Sequence, residues 1–333
     1  MNNISEIKKH LAEHWSAFES LLSSTLDSQS DMLNRINRYL FDTSGKQIRP
    51  LLAFVSAMAG SGVINEQTVA CATASELIHT ASLLHDDVVD NSEQRRGNTT
   101  VSKLFSPGAS ILIGDFWLTR ALALLLEKQC PNEVLRCYAG TLEELAEGEM
   151  MQMDFADSLT TAEKDYLNII RRKTGSLFVA SVRCAAIVSG ATSEIVKALT
   201  EYAHLVGISF QIRDDIIDYY PSSETGKDSG CDIEERKITM PLLCAMESDP
   251  SQAEFIRSQM GKIVPLAQSQ EQQAQNKILI EQIKEFVYKN NGLESAKVRL
   301  GEILSQAKES LGSLSDSYYK DALLKIADSL LLS

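Results

Sequence analysis

Apolar residues recur at the i, i+3, i+4 spacing of an amphipathic helix along nearly the whole chain. The pattern predicts helices over residues 4–40, 48–60, 66–91, 108–128, 131–156, 161–190, 193–220, 238–247, 252–264, 278–290, 293–311 and 316–331. Short polar breakers separate them: DTSGKQIRP (42–50), NSEQRRGNTT (91–100), KQCPNE (128–133) and SGATSE (189–194). The longest polar gap, SSETGKDSGCDIEERK (222–237), is long enough to be a functional loop. QSQEQQAQNK (268–277) is low in complexity and is expected to be a solvated connection. No linker clearly splits the chain, so one domain over residues 1–333 is expected.

Composition agrees with a mainly helical protein. Only 7 prolines and 17 glycines occur in 333 residues, too few turn formers for a strand-rich fold. The net charge of −13, from 32 basic and 45 acidic residues, excludes a general nucleic-acid binder. Any anionic ligand therefore needs a local basic cluster. The N-terminal stretch MNNISEIKKHLAEHW lacks the apolar core of a signal peptide. Apolar runs such as ALALLL (121–126) fall far short of the ~20 residues that span a bilayer, and no basic amphipathic anchor stands out. Cys71, Cys130, Cys137, Cys184, Cys231 and Cys244 show no CxxC spacing, so buried thiols and a cytoplasmic location are expected.

Two segments share one acidic pattern. Residues 83–90 read LLHDDVVD and residues 211–218 read QIRDDIID, 128 positions apart. On a helix Asp86 and Asp90 share a face, while Asp87 is rotated by about 100°. Three like charges within a turn and a half repel one another. A hard divalent cation offsets that repulsion, and Mg²⁺ takes carboxylate oxygens while keeping waters or phosphate oxygens as its other ligands. An acidic run is more often a solvated helix face. The paired Leu, Val and Ile residues around these aspartates argue against that reading. Asp86, Asp87 and Asp90, with Asp214, Asp215 and Asp218, are therefore candidate metal ligands.

Cations lie near these motifs in sequence. Arg95 and Arg96 follow the first, and Lys46 and Arg49 sit in SGKQIRP. Lys173 and Thr174 sit in RRKTGSLF, and Lys227 and Lys237 follow the second motif. Each alone is an ordinary surface charge. Together they supply the Arg forks and Lys point charges that a diphosphate needs. No P-loop or GxGxxG is present, so a nucleotide is not implied.

The motifs SGKQIRP (44–50), ELIHTASLLHDDVVD (76–90), RRG (95–97), GEMMQ (148–152), KTGSLF (173–178), GISFQIRDDIIDYY (207–220), GKDSGCD (226–232) and KITMP (237–241) occur in a familiar order. In that order the chain resembles the trans (all-E) isoprenyl diphosphate synthases, the polyprenyl synthetase family. The resemblance implies an all-α homodimer. Each subunit would be one large helical bundle around a deep central cavity, with the two Asp motifs facing each other across its mouth. It also implies a Mg²⁺-dependent prenyltransferase, with three ions per active site, that joins isopentenyl diphosphate to an allylic diphosphate such as farnesyl diphosphate. By position, both Asp motifs would bind Mg²⁺ on the allylic diphosphate. Arg95, Lys173, Thr174, Gln211 and Lys227 would hold that diphosphate, with help from Lys237. Lys46, Arg49, His79 and Arg96 would hold isopentenyl diphosphate. Asp86, Asp87, Asp90, Arg95, Lys173, Asp214 and Lys227 would carry the catalysis.

Two departures from the family pattern stand out. GGKRxRP is replaced by Ser44-Gly45-Lys46-Gln47-Ile48-Arg49-Pro50, which keeps Lys46 and Arg49. In the later GKxTLP pattern Arg236 stands in place of Gly, so the backbone there is expected to avoid positive φ.

Product length is read from the residues below the first motif. Short-chain members often place a bulky aromatic where this chain has Ala81, beside Ser82. Small residues there imply an open path and a long-chain product, C30 to C45 and octaprenyl-like, destined for a quinone side chain. Tyr138, with Leu135, is a floor candidate; the alternative is that Tyr138 packs in the core. A short-chain synthase, a class I terpene cyclase, a silent subunit of a heteromeric synthase and a di-iron carboxylate bundle are the rival readings. The last rests on the pairs Glu76–His79 and Glu201–His204.

Overall fold

The computed structural model describes residues 2–43, 45–95, 97–221 and 229–332. Helices dominate. Among the described residues the strands are β1 (Gln94–Arg95) and β2 (Asn98–Thr99), an antiparallel pair in which Gln94 faces Thr99. By contact the chain divides into two compact units. Unit 1 comprises Met1–Thr141, Leu177–Glu201 and Ser310–Ile326; unit 2 comprises Leu142–Ser176, Tyr202–Glu309 and Ala327–Ser333.

Unit 1 opens with α1 (Asn2–His10), α2 (Ala12–Thr25) and α3 (Asp31–Asp42), where the sequence pattern predicts one helix over 4–40. The pattern is right in period and wrong in continuity. Ser30 accepts a hydrogen bond from the Leu33 amide and so starts a new helix. Next come α4 (Ile48–Gly60), α5 (Glu66–Val89), the short α6 (Val101–Leu104) and α7 (Pro107–Glu127). Asn65 and Thr68 form a reciprocal capping box that fixes the start of α5. From Thr68 to Ile78 every residue of α5 is buried, as expected of a helix enclosed by neighbours; α2, α4 and α7 pack on it.

α7 differs from the sequence expectation. Judged by length and composition, Pro107–Glu127 is apolar enough to cross a membrane: an 18-residue stretch of it has a mean hydropathy of 1.6. In the fold one face of it is core: Trp117, Ala121, Leu124 and Leu125 are buried, and the Trp117 indole donates to Asn37 at 2.9 Å. Its Ile111, Leu112 and Leu126 remain exposed.

α8 (Asn132–Ser158) and α11 (Ser193–Ile217) supply residues to both units. α9 (Glu163–Ile170) continues through one π turn, Arg171–Gly175, into α10 (Ser176–Val188). Unit 2 adds α12 (Cys231–Glu234), α13 (Met240–Ser248), α14 (Pro250–Met260), α15 (Gln270–Lys289) and α16 (Gly292–Ser310). The last helix is α17 (Tyr318–Asp328). α13 packs on α9, α14 and α15.

The run 268–277 is solvated, with only Asn276 buried, but it is not a connection: α15 begins at Gln270. Ser269 caps it, and the buried Asn276 pairs with both backbone groups of Val264, at 3.1 and 2.9 Å. Its polar composition hid a helix whose apolar face begins at Leu279 and Ile280. The cysteines also differ from expectation: Cys231 is exposed and Cys137 half-buried, while the other four are buried.

Candidate active site

In unit 1 the first Asp motif closes α5. Asp90 is its C-cap, and the Ser92 amide donates to the Asp87 carbonyl at 3.0 Å, turning the chain into the β1–β2 hairpin. Gly97 supplies the positive φ of +77° in the two-residue turn. The hairpin returns Arg95 to the helix end, where its Nε donates to Asp87 Oδ1 at 2.6 Å. Asp87 is only 4 % exposed. Burial pushes its carboxyl above the usual range, and Arg95 opposes that shift. Asp86 and Asp90 are half-buried.

Asp87, Arg95 and His79 line one cavity of about 270 Å³, together with Gly45 and Gln47 from the SGKQIRP segment. Its other walls include Leu83, Leu84 and Trp117. Lys46 and Arg49 do not line it. Lys46 is exposed, and the Arg49 guanidinium stacks 4.6 Å from the centre of the Phe178 ring. Arg96 and Ser44 lie outside the described residues, as does Lys227 of the later loop.

In unit 2 the second motif sits at the end of α11. The π turn presents Lys173 and Thr174, and such turns often mark functional positions. Gly148 of GEMMQ is required by this approach: a Cβ there would lie 2.8 Å from the Lys173 amide nitrogen. The next residue, Glu149, pairs with Lys173 at 2.6 Å. The Gln152 side-chain oxygen accepts from Lys173 Nζ (3.1 Å) and Lys237 Nζ (3.3 Å), in the amide orientation that satisfies both lysines. Lys237 also pairs with Glu235. Arg236, expected to avoid positive φ, adopts φ +61°. It is the left-handed residue of a Schellman close on α12: the Arg236 amide bonds to the Ile233 carbonyl and the Lys237 amide to that of Asp232. The role usually given to Gly is filled here at a conformational cost.

Asp215 is 2 % exposed, and both of its oxygens are engaged. Tyr166 donates to Oδ2 at 2.5 Å and Gln211 Nε2 to Oδ1 at 2.8 Å. Thr174 in turn donates to Gln211 Oε1 at 2.8 Å. Asp218 accepts from the Cys231 and Asp232 amides, both at 3.1 Å, and so caps α12. Burial pushes the Asp215 carboxyl up to about 7, against the pull of Tyr166 and Gln211 and with added repulsion from Asp214 and Asp218. Asp218 and Asp232 are displaced upward for the same first reason.

Among the described residues no three His, Cys, Asp or Glu side chains converge as a ready-made metal cage. The Glu76–His79 and Glu201–His204 pairs of the di-iron reading are not gathered into such a group. Mg²⁺ does not need one: it binds through one or two carboxylates and completes its shell with waters and phosphate oxygens. Buried carboxylates held at unfavourable charge, with oxygen donors only, fit that ion.

Ala81 is fully buried on α5 and Ser82 half-buried beside it. Tyr138 is fully buried, and its hydroxyl donates to the Cys71 carbonyl at 2.7 Å.

Residues 30–278 match the polyprenyl synthetase family. The chain belongs to that family. It is a prenyltransferase that makes a polyprenyl diphosphate, and its all-α architecture is the isoprenoid synthase fold. It is 34 % identical to the octaprenyl diphosphate synthase of Haemophilus influenzae over 327 residues, 98 % of this chain and 95 % of that one. It is 31 % identical to the geranylgeranyl diphosphate synthase of Methanosarcina mazei, covering 98 % and 97 %. Among solved structures it superimposes on the polyprenyl synthase of Caulobacter crescentus complexed with calcium and isoprenyl diphosphate. That match has a TM-score of 0.88 at 28 % identity and covers 98 % and 97 % of the two chains.

Sequence reasoning about this polyprenyl synthetase missed Tyr166, Glu149, Asp232 and Lys284. Tyr166 lies in the helical segment 161–190 with nothing in its neighbours to set it apart. Lys284, on α15, is buried and donates to Ser229 at 2.8 Å, a pairing across 55 positions that no local pattern announces.

Proposed function

We propose that this polyprenyl synthetase condenses isopentenyl diphosphate head-to-tail with an allylic diphosphate such as farnesyl diphosphate. The product is a long-chain all-trans polyprenyl diphosphate, C30 to C45 and octaprenyl-like, with a quinone side chain as its destination. The observation that carries the substrate reading is the unit 1 cavity. At about 270 Å³ it lies below the ~300 Å³ of pockets for drug-sized ligands, which suits a five-carbon diphosphate. His79 supplies a polar wall for the diphosphate, and Leu83, Leu84 and Trp117 an apolar one for the alkene, with the Asp87–Arg95 pair at the first-motif side. The long-chain reading is supported by the small Ala81 and Ser82 and by the octaprenyl relative; the geranylgeranyl relative represents the short-chain alternative.

Mg²⁺ held by Asp86, Asp87 and Asp90 and by Asp214, Asp215 and Asp218 would stabilise the charge growing on the departing diphosphate. The chain's own cations work alongside it. Arg95, Lys173 and Lys227 attract the allylic diphosphate, and Lys46, Arg49 and Arg96 the isopentenyl one. Apolar walls keep water from trapping the allylic cation. The released diphosphate can accept the final proton, so no side-chain base is required. The paired second Asp motif and the Lys46, Arg49 and His79 set favour this reaction over a terpene cyclase, which has no isopentenyl substrate to hold.

A homodimer is part of the proposal, and the exposed Ile111, Leu112 and Leu126 of α7 give it an uncovered apolar surface.

Incorporation of labelled isopentenyl diphosphate onto farnesyl diphosphate tests the site. It should stop in chelator and return with Mg²⁺. Asp86→Ala and Asp214→Ala should each lower it by roughly 10²–10³-fold, the scale of losing one transition-state charge stabiliser. Incorporation that survives chelator and both substitutions would sink the reading.

A further inference from the structure

Four residues of unit 2 form a single-file hydrogen-bond chain: Tyr166, Asp215, Gln211 and Thr174. The donor order along it is set by chemistry. The Gln211 amide nitrogen can only donate and its oxygen can only accept. With Nε2 on Asp215 Oδ1 at 2.8 Å, Oε1 is left facing Thr174, whose hydroxyl must spend its one proton there, also at 2.8 Å. Thr174 then has lone pairs, and no proton, left for a ligand.

Gln211 could in principle turn by half a revolution and exchange its two ends. With Asp215 ionised, that would set its oxygen against Asp215 Oδ1, two acceptors face to face. The barrier to turning therefore depends on where the Asp215 carboxylate is held. Tyr166 holds it: the phenol meets the other oxygen, Oδ2, at 2.5 Å, so the carboxylate is gripped on both sides. Tyr166 is 4 % exposed and Asp215 2 %, so water does not readily replace either partner. Thr174, at 8 % exposure, sits beside Lys173 in the π turn, and Gln211 behind it is half-buried.

We propose that Tyr166 is a positioning residue whose hydroxyl, acting through Asp215 and Gln211, makes Thr174 present oxygen lone pairs rather than a proton to the reacting substrate. This rests on the prenyl transfer assigned above. It also revises the role expected of Thr174 from resemblance. A hydroxyl committed to Gln211 cannot donate to a diphosphate oxygen. It can accept from a cationic or water donor, or lie against the positive charge that develops on the allylic carbon. Without Tyr166, Asp215 is free to rotate, Gln211 can turn, and the Thr174 proton is released toward the substrate.

Steady-state kinetics with farnesyl and isopentenyl diphosphates test this. Tyr166→Phe removes one oxygen atom and should lower kcat by roughly 10- to 100-fold, the equivalent of one hydrogen bond to a charged group, with KM for both substrates within about threefold. Thr174→Val should lose a similar factor, and Thr174→Ser should recover most of it. The double substitution Tyr166→Phe/Thr174→Val should be no worse than Thr174→Val alone, within about twofold, because both act on one chain of contacts. Should Tyr166→Phe fail to fold, Gln211→Met breaks the same chain at another link and should show the same non-additivity with Thr174→Val. Wild-type kcat in Tyr166→Phe, or losses that multiply in the double variant, would overturn the proposal. An inactive wild type contradicts the assigned reaction, whereas an active wild type with an unaffected Tyr166→Phe contradicts only the positioning role.

Discussion

The Tyr138 hydroxyl donates to the Cys71 carbonyl at 2.7 Å and shares a second hydrogen bond with Ser75 Oγ at 2.8 Å. All three residues are fully buried in unit 1, so the phenol is pinned to one level of α5. Ser75 and Cys71 lie 11 and 15 residues before Asp86, which puts that level about 16 to 23 Å down the helix axis. A floor there would stop a product after about four or five isoprene units at about 4–5 Å each, short of an octaprenyl chain. The long-chain reading therefore treats Tyr138 as core packing. Tyr138→Phe should destabilise the fold by about 1–2 kcal/mol through the lost buried hydrogen bonds while leaving product length unchanged. Ala81→Phe, by contrast, should shorten the product. Thermal melts and product sizing on the two variants check both outcomes. A longer product from Tyr138→Phe would identify the tyrosine as the floor.

The left-handed Arg236 yields a stability order opposite to the usual one. Arg236→Ala and Arg236→Gly both lose the bond from the guanidinium to the Asp157 carbonyl, 3.0 Å long. Only Gly relieves the Cβ penalty at φ +61°. The Gly variant should therefore be more stable than the Ala variant by about 1 kcal/mol in urea or thermal unfolding. Equal stability would mean that the Schellman close carries no such strain.

Much of the helical framework was legible in the chain. α4, α5, α7, α8 and α16 end within two residues of the periodic segments that predict them, because each has an apolar face and a clear breaker. The motif aspartates were legible because charge inside apolar sequence is rare. The hairpin carrying Arg95 was not, since two-residue strands leave no period to detect. The start of α15 was hidden by two polar turns, Gln270 to Lys277. The partners of Asp215 and Lys173 were hidden for another reason: Tyr166 and Glu149 are ordinary helix residues until the fold sets them against Asp215 and Lys173. Their importance is tertiary and has no local signature.

The buried acidic groups of unit 2 predict a pH dependence in metal-free protein. The Asp215 carboxyl is pushed up to about 7, and Asp218 and Asp232 shift the same way, burial being the first cause in each. Between the ordinary carboxylate range and about pH 7 the folded chain thus binds more protons than the unfolded one. Stability from these groups is then highest at low pH and is lost as pH rises through that window. In chelator, Tm should fall from pH 5.5 to pH 8 in the wild type and fall less in Asp215→Asn. Parallel curves would rule out Asp215 as a source of the slope.

Leu112, 69 % exposed on α7 beside Ile111, belongs to the proposed subunit surface. Leu112→Asp should convert a dimer to monomer in light scattering after gel filtration, with little change in the helical signal. A dimer unaffected by this substitution would place the interface elsewhere.

The most direct test of the long-chain assignment is the size of the product. Purified enzyme incubated with farnesyl diphosphate, excess isopentenyl diphosphate and Mg²⁺ should release chains of C30 to C45, centred near the octaprenyl length. Arrest at C15 or C20 would contradict it.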